Sequence, residues 1–288
     1  MEKQVIEKIF RMKGIPPKEG QGYLDRFKSS PPMEFAVIKI SGDCLIHEQS
    51  KKEIVEDIWF LSSLGLYPLV MHGAGKLIDR VMQKNGLNVK KINGLRKTDE
   101  KTLKIVMEVS AQINSEFVEA LKNGTEIAKG LAGKKIFDAK PLDKKTYGFV
   151  GEVKNVHLTE IENAISEKRV PIMTFIGYDD LQPYNINADG AANYLVEAVN
   201  PHKFIILTEV GGVLDKNQKI ISELDLEGMN QMINSGEATD GMKVKLEQIA
   251  ELLEKMPSDF TVQITSSKNL LKELFTSKGH GTFISKKL

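Results

Sequence analysis

The chain is expected to fold as an α/β protein built around a mainly parallel sheet. Apolar, β-favouring runs at 35–40, 67–71, 170–175, 203–208 and 260–265 have the length of buried strands. Helix-like patterns at 50–64, 76–85, 98–122, 158–168, 189–199 and 242–254 alternate with them. Strand–helix alternation is the signature of helices packed on the faces of a parallel sheet. Glycine-bearing turns follow several of the strands, where open α/β sheets hold their ligands.

The elements follow in order. Residues 3–12 put Val5, Ile6, Ile9 and Phe10 on one helical face, and Gly14, Pro16 and Pro17 end that pattern. A second break comes at Ser29-Ser30-Pro31-Pro32. Residues 1–33 therefore form a helical arm ahead of the main fold, either docked on its own domain or packed on another subunit. The main fold begins with FAVIKI (35–40), in which Lys39 interrupts an apolar strand just before Ser41-Gly42. Between 126 and 157 the glycines point to short strands or hairpins.

The length of 288 residues suits one large α/β domain or two lobes. With 41% hydrophobic and 27% charged residues and a net charge of +1, nothing marks a nucleic-acid or membrane-surface protein. A single cysteine, Cys44, excludes an intrachain disulfide framework and fits a reducing compartment. No signal-peptide pattern and no run of ~18 apolar residues is present. The expectation is a cytoplasmic, soluble protein.

Three strand ends carry small residues: Ser41-Gly42-Asp43, His72-Gly73-Ala74-Gly75 and Glu209-Val210-Gly211-Gly212. Such turns let backbone N–H groups approach a ligand, and a following helix N-terminus favours an anion. Any one of them is explained by sterics; three, one preceded by a lysine, favour a phosphate or carboxylate site. P-loop spacing is absent, GLAGKK (130–135) included, as are the protein-kinase and G-x-S-x-G signatures. The five histidines are scattered without metal-ligand spacing, so no protein metal site is expected, and His72 reads as a structural hydrogen-bonding residue.

Arg96 in NGLRKT (93–98) precedes a long helix, where a cation opposes the helix dipole. A carboxylate ligand gripped by the guanidinium would explain it. Asp189 in YNINADGAANYL (184–195) is either an N-cap or part of a polar cluster with Asn185 and Asn187. Lys243 and Lys245 open the helix after TDGM, again against the dipole, and are either solvated or functional.

Taken together, the lysine–small–glycine turn at 39–42, HGAG (72–75), NGLR (93–96), NINAD (185–189), LTEVGGVLD (207–215) and DGM with Lys245 resemble the acetylglutamate kinases of the amino acid kinase family. YGFVGEV (147–153) and ELFTSKGHGTFI (273–284) match as well, and the resemblance spans about 35–284. NGLR and NINAD are its most specific parts. The match looks most like the kinase domain of bifunctional acetylglutamate synthase/kinases, in which an acetyltransferase domain follows about where this chain stops.

The resemblance implies a three-layer αβα sandwich, with residues 34–202 as the acetylglutamate-binding lobe and 203–288 as the ATP-binding lobe of one kinase domain. It implies transfer of the ATP γ-phosphoryl to the γ-carboxylate of N-acetyl-L-glutamate, a step of arginine biosynthesis. Lys39 would contact the moving phosphoryl, Lys245 the leaving side, and Asp189 would hold both lysines. Gly73, Ala74, Gly75, Arg96 and Asn185 would bind the substrate. Ser41, Gly42, Thr208, Glu209, Gly212, Gly241 and Met242 would lie by the nucleotide, with Mg²⁺ held mainly by its phosphates. A homodimer formed through the long helix near 98–122 is implied, extended by the arm to a larger homo-oligomer. L-arginine is implied as an effector acting near the N-terminal helix and residues 273–282.

The sequence departs from the family at several places. Ser41 stands where two glycines usually begin, as in the uridylate kinase branch, and Asp43 adds a negative charge near the phosphates. Ala74 replaces a frequent glycine and Glu209 a usual aspartate. An active kinase is the expectation. The alternative is a catalytically weak, arginine-binding regulatory domain.

Overall fold

The structure, a computed structural model, describes residues 1–122, 124–277 and 279–288. Strands β1 (Ala36–Ile40), β2 (Leu69–His72), β3 (Lys91–Ile92), β4 (Leu95–Arg96), β5 (Ala128–Leu131), β6 (Phe137–Pro141) and β7 (Val150–Val156) occupy the first half. They are followed by β8 (Val170–Met173), β9 (Ile176–Asp179), β10 (Gln182–Ile186), β11 (Lys203–Leu207), β12 (Glu223–Asp225), β13 (Thr261–Thr265) and β14 (Thr282–Ser285). The helices are α1 (Lys3–Met12), α2 (Pro17–Ser29), α3 (Gly42–Ile46), α4 (Glu48–Ser63), α5 (Gly75–Lys84) and α6 (Glu100–Ala120). After these come α7 (Lys144–Tyr147), α8 (Thr159–Ser166), α9 (Ala188–Val199), α10 (Leu226–Ser235), α11 (Asp240–Lys255) and α12 (Leu270–Phe275).

Among the described residues, eight strands form one sheet in the order β12-β14-β13-β11-β1-β2-β8-β5. From β13 to β5 the pairing is parallel throughout, and β14 joins β13 antiparallel. All five strands expected from the apolar runs are present. The run at 67–71 pairs only from Leu69 onward, because Pro68 has no N–H for the ladder. β1 lies at the middle of the sheet and every one of its residues is buried, as a strand covered on both faces requires. The glycine-rich middle (126–157) supplies β5, β6 and β7, of which β6 and β7 close a small barrel with β9 and β10, and β3–β4 is a hairpin.

Several elements have no counterpart in the apolar pattern, among them α3, α10, α12, β9 and β10. α2 starts at Pro17, a residue that reads as a helix stop but is compatible with the first helical position. β12 and β14 are short strands near the sheet edge, where the polar residues beside them mask the signal.

Residues 1–33 rest on the chain's own domain. Phe10 of α1 packs against Phe60 of α4 and Phe275 of α12, with ring centres 6.2 and 5.1 Å apart. Phe27 of α2 meets Phe35 just ahead of β1 at 4.9 Å. Lys13 reaches Asp57 of α4 at 2.5 Å. No helix among the described residues is long and apolar enough to cross a membrane.

Candidate active site

β1 delivers Lys39 to the carboxyl edge of the sheet between Ile38 and Ile40, both fully buried. Lys39 itself is only 5% exposed. An ammonium there requires a counter-charge, and Asp189 of α9 supplies it at 2.6 Å. The second oxygen of the same carboxylate receives Lys245 of α11 at 2.9 Å. One carboxylate thus bridges two ammonium groups that lie more than two hundred residues apart in the chain.

Asp189 is free to do this because it is not the cap of its helix. Asn187 caps α9, its side chain accepting from the backbone N–H of Asp189 at 2.8 Å and of Gly190 at 3.1 Å. Burial raises the Asp189 carboxyl, but the charges of Lys245 and Lys39 more than offset it and hold the group well below the usual carboxylate range. Burial, which the Asp189 charge only partly offsets and the like charge of Lys39 reinforces, pushes Lys245 down to about 8.

The turns after β1 and β2 pack directly together. A Cβ at Gly42 would lie 2.7 Å from the Gly73 carbonyl oxygen and 2.8 Å from Ala74 Cα, so this close approach requires glycine. Gly73 N–H donates to Ile40 O at 2.9 Å, which ties the second turn to the end of β1. Ala74 sits buried at the N-cap position of α5. Across the two turns Lys76 of α5 pairs with Asp43 at 2.6 Å.

Arg96, at the end of the β3–β4 hairpin, is 8% exposed. Its guanidinium donates to Asp79 of α5, to Gly75 O at 2.9 Å and to Met82 Sδ at 3.4 Å. Asp79 holds Lys91 with its other oxygen at 3.2 Å. Behind Arg96, Thr98 donates its hydroxyl to Arg96 O at 2.7 Å and accepts from the Asn185 amide at 3.1 Å. Of the five N–H donors of Arg96, two remain for a ligand, enough for one carboxylate.

These groups line one cavity of about 370 Å³. Lys39, Asp189, Lys245, Gly241, Arg96 and Asn185 all stand in its wall. Ser41, Gly42 and the 73–75 turn complete the backbone lining. Its three carboxylates, Asp43, Asp79 and Asp189, are all ion-paired, against five cations counting Lys76 and Lys91. The surplus positive charge favours an anionic occupant. Among the described residues no group of three or more His, Cys, Asp or Glu is placed to hold a metal ion.

Other expected residues lie apart from this cavity. Thr208 follows β11, whose Leu207 O accepts from Ser41 N–H, and its hydroxyl accepts from Gly211 N–H at 3.0 Å. Glu209 faces a neighbouring cavity of about 550 Å³ with Ser50, Glu53 and Gly211. At Gly212 a Cβ would meet Ile220 and Thr282, which gives that glycine a packing role. Met242, at the start of α11, packs against the core. Lys243 is solvated and faces Glu247 at 3.9 Å. His72 is fully buried beside Asn114, at 3.3 Å, and burial pushes it down to about 4.

Asp79, Lys76 and Lys91 were not anticipated from the sequence. Each is a charged residue on an exposed-looking helix or hairpin, and only its partner across the cavity gives it meaning. The one available signal was the spacing of Asp79, four residues after Gly75 and so on the same face of α5.

A cationic cavity with a two-lysine, one-carboxylate clamp at the carboxyl edge of a parallel sheet defines an anion-binding α/β protein. Residues 34–266 match the amino acid kinase family, and the chain belongs to it. It is 38% identical over 269 residues to the acetylglutamate kinase of Xanthomonas campestris pv. campestris, covering 93% of this chain and 62% of that protein. It is 34% identical over 277 residues to the acetylglutamate kinase of Caldanaerobacter subterraneus subsp. tengcongensis, covering 93% of this chain and 91% of that one. This chain therefore spans less than two thirds of the first relative and nearly all of the second. In fold it resembles an N-acetylglutamate synthase from Neisseria gonorrhoeae complexed with coenzyme A and N-acetyl-glutamate. The TM-score is 0.81 at 21% identity, over 94% of this chain and 63% of that one.

Proposed function

We propose that the chain transfers the γ-phosphoryl of ATP to the γ-carboxylate of N-acetyl-L-glutamate, the acetylglutamate kinase step of arginine biosynthesis. The observation that carries this reading is the Lys39–Asp189–Lys245 clamp sharing a cavity with Arg96 and Asn185. The names of the relatives support the choice of acceptor.

Phosphoryl transfer asks a protein for alignment and charge neutralisation more than covalent help. Lys39 stabilises the charge on the moving phosphoryl, and Lys245 the charge that builds on the leaving β-phosphate side. Asp189 keeps the two ammonium groups apart and aimed, its own charge spent on them. The backbone N–H groups around Gly42 and 73–75 receive phosphate and carboxylate oxygens. Arg96 takes the α-carboxylate with its two remaining donors, and Asn185 fixes the acetylamino end. Thr208, Glu209, Gly212, Gly241 and Met242 border the nucleotide, with residues 34–202 acting as the acceptor lobe and 203–288 as the nucleotide lobe. Mg²⁺ belongs with the phosphates: Asp43 and Asp189 already hold lysines, which fits a metal bound mainly by the nucleotide.

The protein acts in the cytoplasm as a homo-oligomer, with a second copy against α6. L-arginine as an effector is supported by Glu273, a buried carboxylate that accepts from the N–H groups of His280 and Gly281 near the Glu19–Ser277 contact of α2. Lys278, within the same stretch, lies outside the described residues. An active kinase is favoured over a weak regulatory domain because each charged group of the clamp has its partner.

The test is acetylglutamate-dependent release of ADP with Mg²⁺, run with and without arginine. Release that stays at background with acetylglutamate refutes the reading. Background activity together with calorimetric binding of arginine supports the regulatory alternative instead.

A further inference from the structure

Asp43 is the departure from the family pattern that the chemistry above does not use. Its carboxylate belongs to the turn after β1, two residues beyond Ser41 and next to Gly42, and it lines the same cavity as Lys39 and Lys245. A fixed negative charge there repels phosphate oxygens. The side chain that answers it is Lys76, whose ammonium lies 2.6 Å from Asp43 Oδ2. Lys76 comes from the first turn of α5, on the other of the two interlocked turns, and also lines the cavity. With 70% of its side chain exposed and no second acid paired to it among the described residues, Lys76 is held at this place chiefly by Asp43.

We propose, building on the nucleotide site assigned above, that Lys76 is a positioning residue for ATP whose task is to cancel the charge of Asp43. The phosphates then meet a neutral pair instead of a carboxylate, and the serine–glycine–acid turn becomes compatible with a polyanion. Two consequences separate this role from an ordinary surface lysine and from a direct phosphate ligand. Removing Lys76 harms ATP binding only while Asp43 is charged. Removing the Asp43 charge restores binding to a chain that lacks Lys76.

A double-mutant cycle on the full chain tests this, reading ATP and ADP dissociation constants in Mg²⁺ by calorimetry, with no acceptor present. Lys76→Ala is expected to weaken ATP about three- to fivefold, the scale of an ion pair whose lysine is largely solvent-exposed. Asp43→Asn is expected to tighten ATP by about two- to threefold, since it removes a like charge. In the Asp43→Asn background, Lys76→Ala is expected to leave ATP affinity within about 1.5-fold, which is the coupling signature of a pair that acts as a unit. ATP should lose more than ADP, because it carries the additional charge.

Equal losses from Lys76→Ala in both backgrounds would make Lys76 an independent phosphate ligand and overturn the inference. No loss in either background overturns it as well. Lys76 is too exposed for its loss to unfold the chain, and unchanged thermal unfolding of each variant verifies that. The outcomes also separate this inference from the function on which it builds. A wild-type chain that does not bind ATP removes both, whereas ATP binding without the coupling removes only the role of Lys76. ATP binding with the coupling, but without acetylglutamate turnover, leaves the role intact and refutes the acceptor.

Discussion

Two carboxylates of this protein meet lysine in protected surroundings, and their carboxyls are shifted in opposite directions. Asp57 of α4 is 1% exposed and has one lysine, Lys13, on one oxygen; its other oxygen has no hydrogen-bond partner among the described residues. Burial wins there and pushes its carboxyl up to about 7, with Lys13 offsetting only part of the effect. Asp189 has a lysine on each oxygen, and its carboxyl is held below the usual range. A single counter-charge does not compensate for loss of hydration, whereas two do. The first arrangement latches the N-terminal helices to the domain; the second keeps an anion permanently charged inside a cationic cavity.

The largest expected effects come from dismantling the doubly paired site. Lys39→Ala and Lys245→Ala should each lower kcat on the order of 10²-fold or more in the acetylglutamate-dependent assay, if both ammonium groups stabilise transition-state charge. Asp189→Asn should act as strongly, because it leaves two buried lysines facing each other. A kcat within about twofold of wild type for Asp189→Asn would mean that the bridge between the lysines is structural ornament.

Next in size is Arg96→Ala, expected to raise the KM for acetylglutamate by about 10- to 100-fold with a smaller change in kcat, the loss of one charge-assisted carboxylate contact. An unchanged KM would remove Arg96 from the acceptor site.

A pH profile of kcat/KM sharpens the comparison further. Because burial pushes Lys245 down to about 8, activity should fall as pH rises through about 8 and the ammonium is lost. Lys245→Arg, which cannot lose its charge in this range, should abolish that alkaline limb whatever it does to the rate.

The smallest effect concerns stability, and the two acids should pull it in opposite directions. Asp57 has a folded-state pKa above its unfolded value, so its contribution is fully present below about pH 4 and is lost as pH rises through about 7. Asp189 has a depressed folded-state value, so its contribution is present above about pH 4 and is lost as pH falls below that. Thermal unfolding of Asp57→Asn between pH 5 and 8 should therefore decline less with rising pH than that of the wild type. Identical slopes would show that Asp57 is not the group responsible.

Much of the architecture was legible because burial on both faces writes itself as apolar runs. The strands at the centre of the sheet and the helices between them fall where those runs and periodicities lie. α2 was hidden by Pro17, whose role at a helix start and at a helix stop looks the same in one dimension. β12 and β14 were hidden by brevity at the sheet edge, where neighbours rather than composition decide pairing.

The candidate site divides along the same line. Glycine at 42 and the lysine at 39 are local anomalies, visible where a residue conflicts with its own element. Arg96 instead ends strand β4 ahead of α6 and Lys245 lies past the first turn of α11, so the helix-dipole conflict read from the sequence does not hold for either. Their partners are not anomalies at all. Asp79 on a polar helix and Lys76 in a first turn look ordinary until the folded chain brings other charges to them. By itself the sequence determined which elements form and which residues sit at odds with them, because propensity and hydrophobic period act over a few neighbours. Only the tertiary structure decided that Asp189 bridges two lysines and that Asp43 is answered by Lys76. Charge pairing is a matter of distances of a few ångströms between segments that the chain keeps far apart.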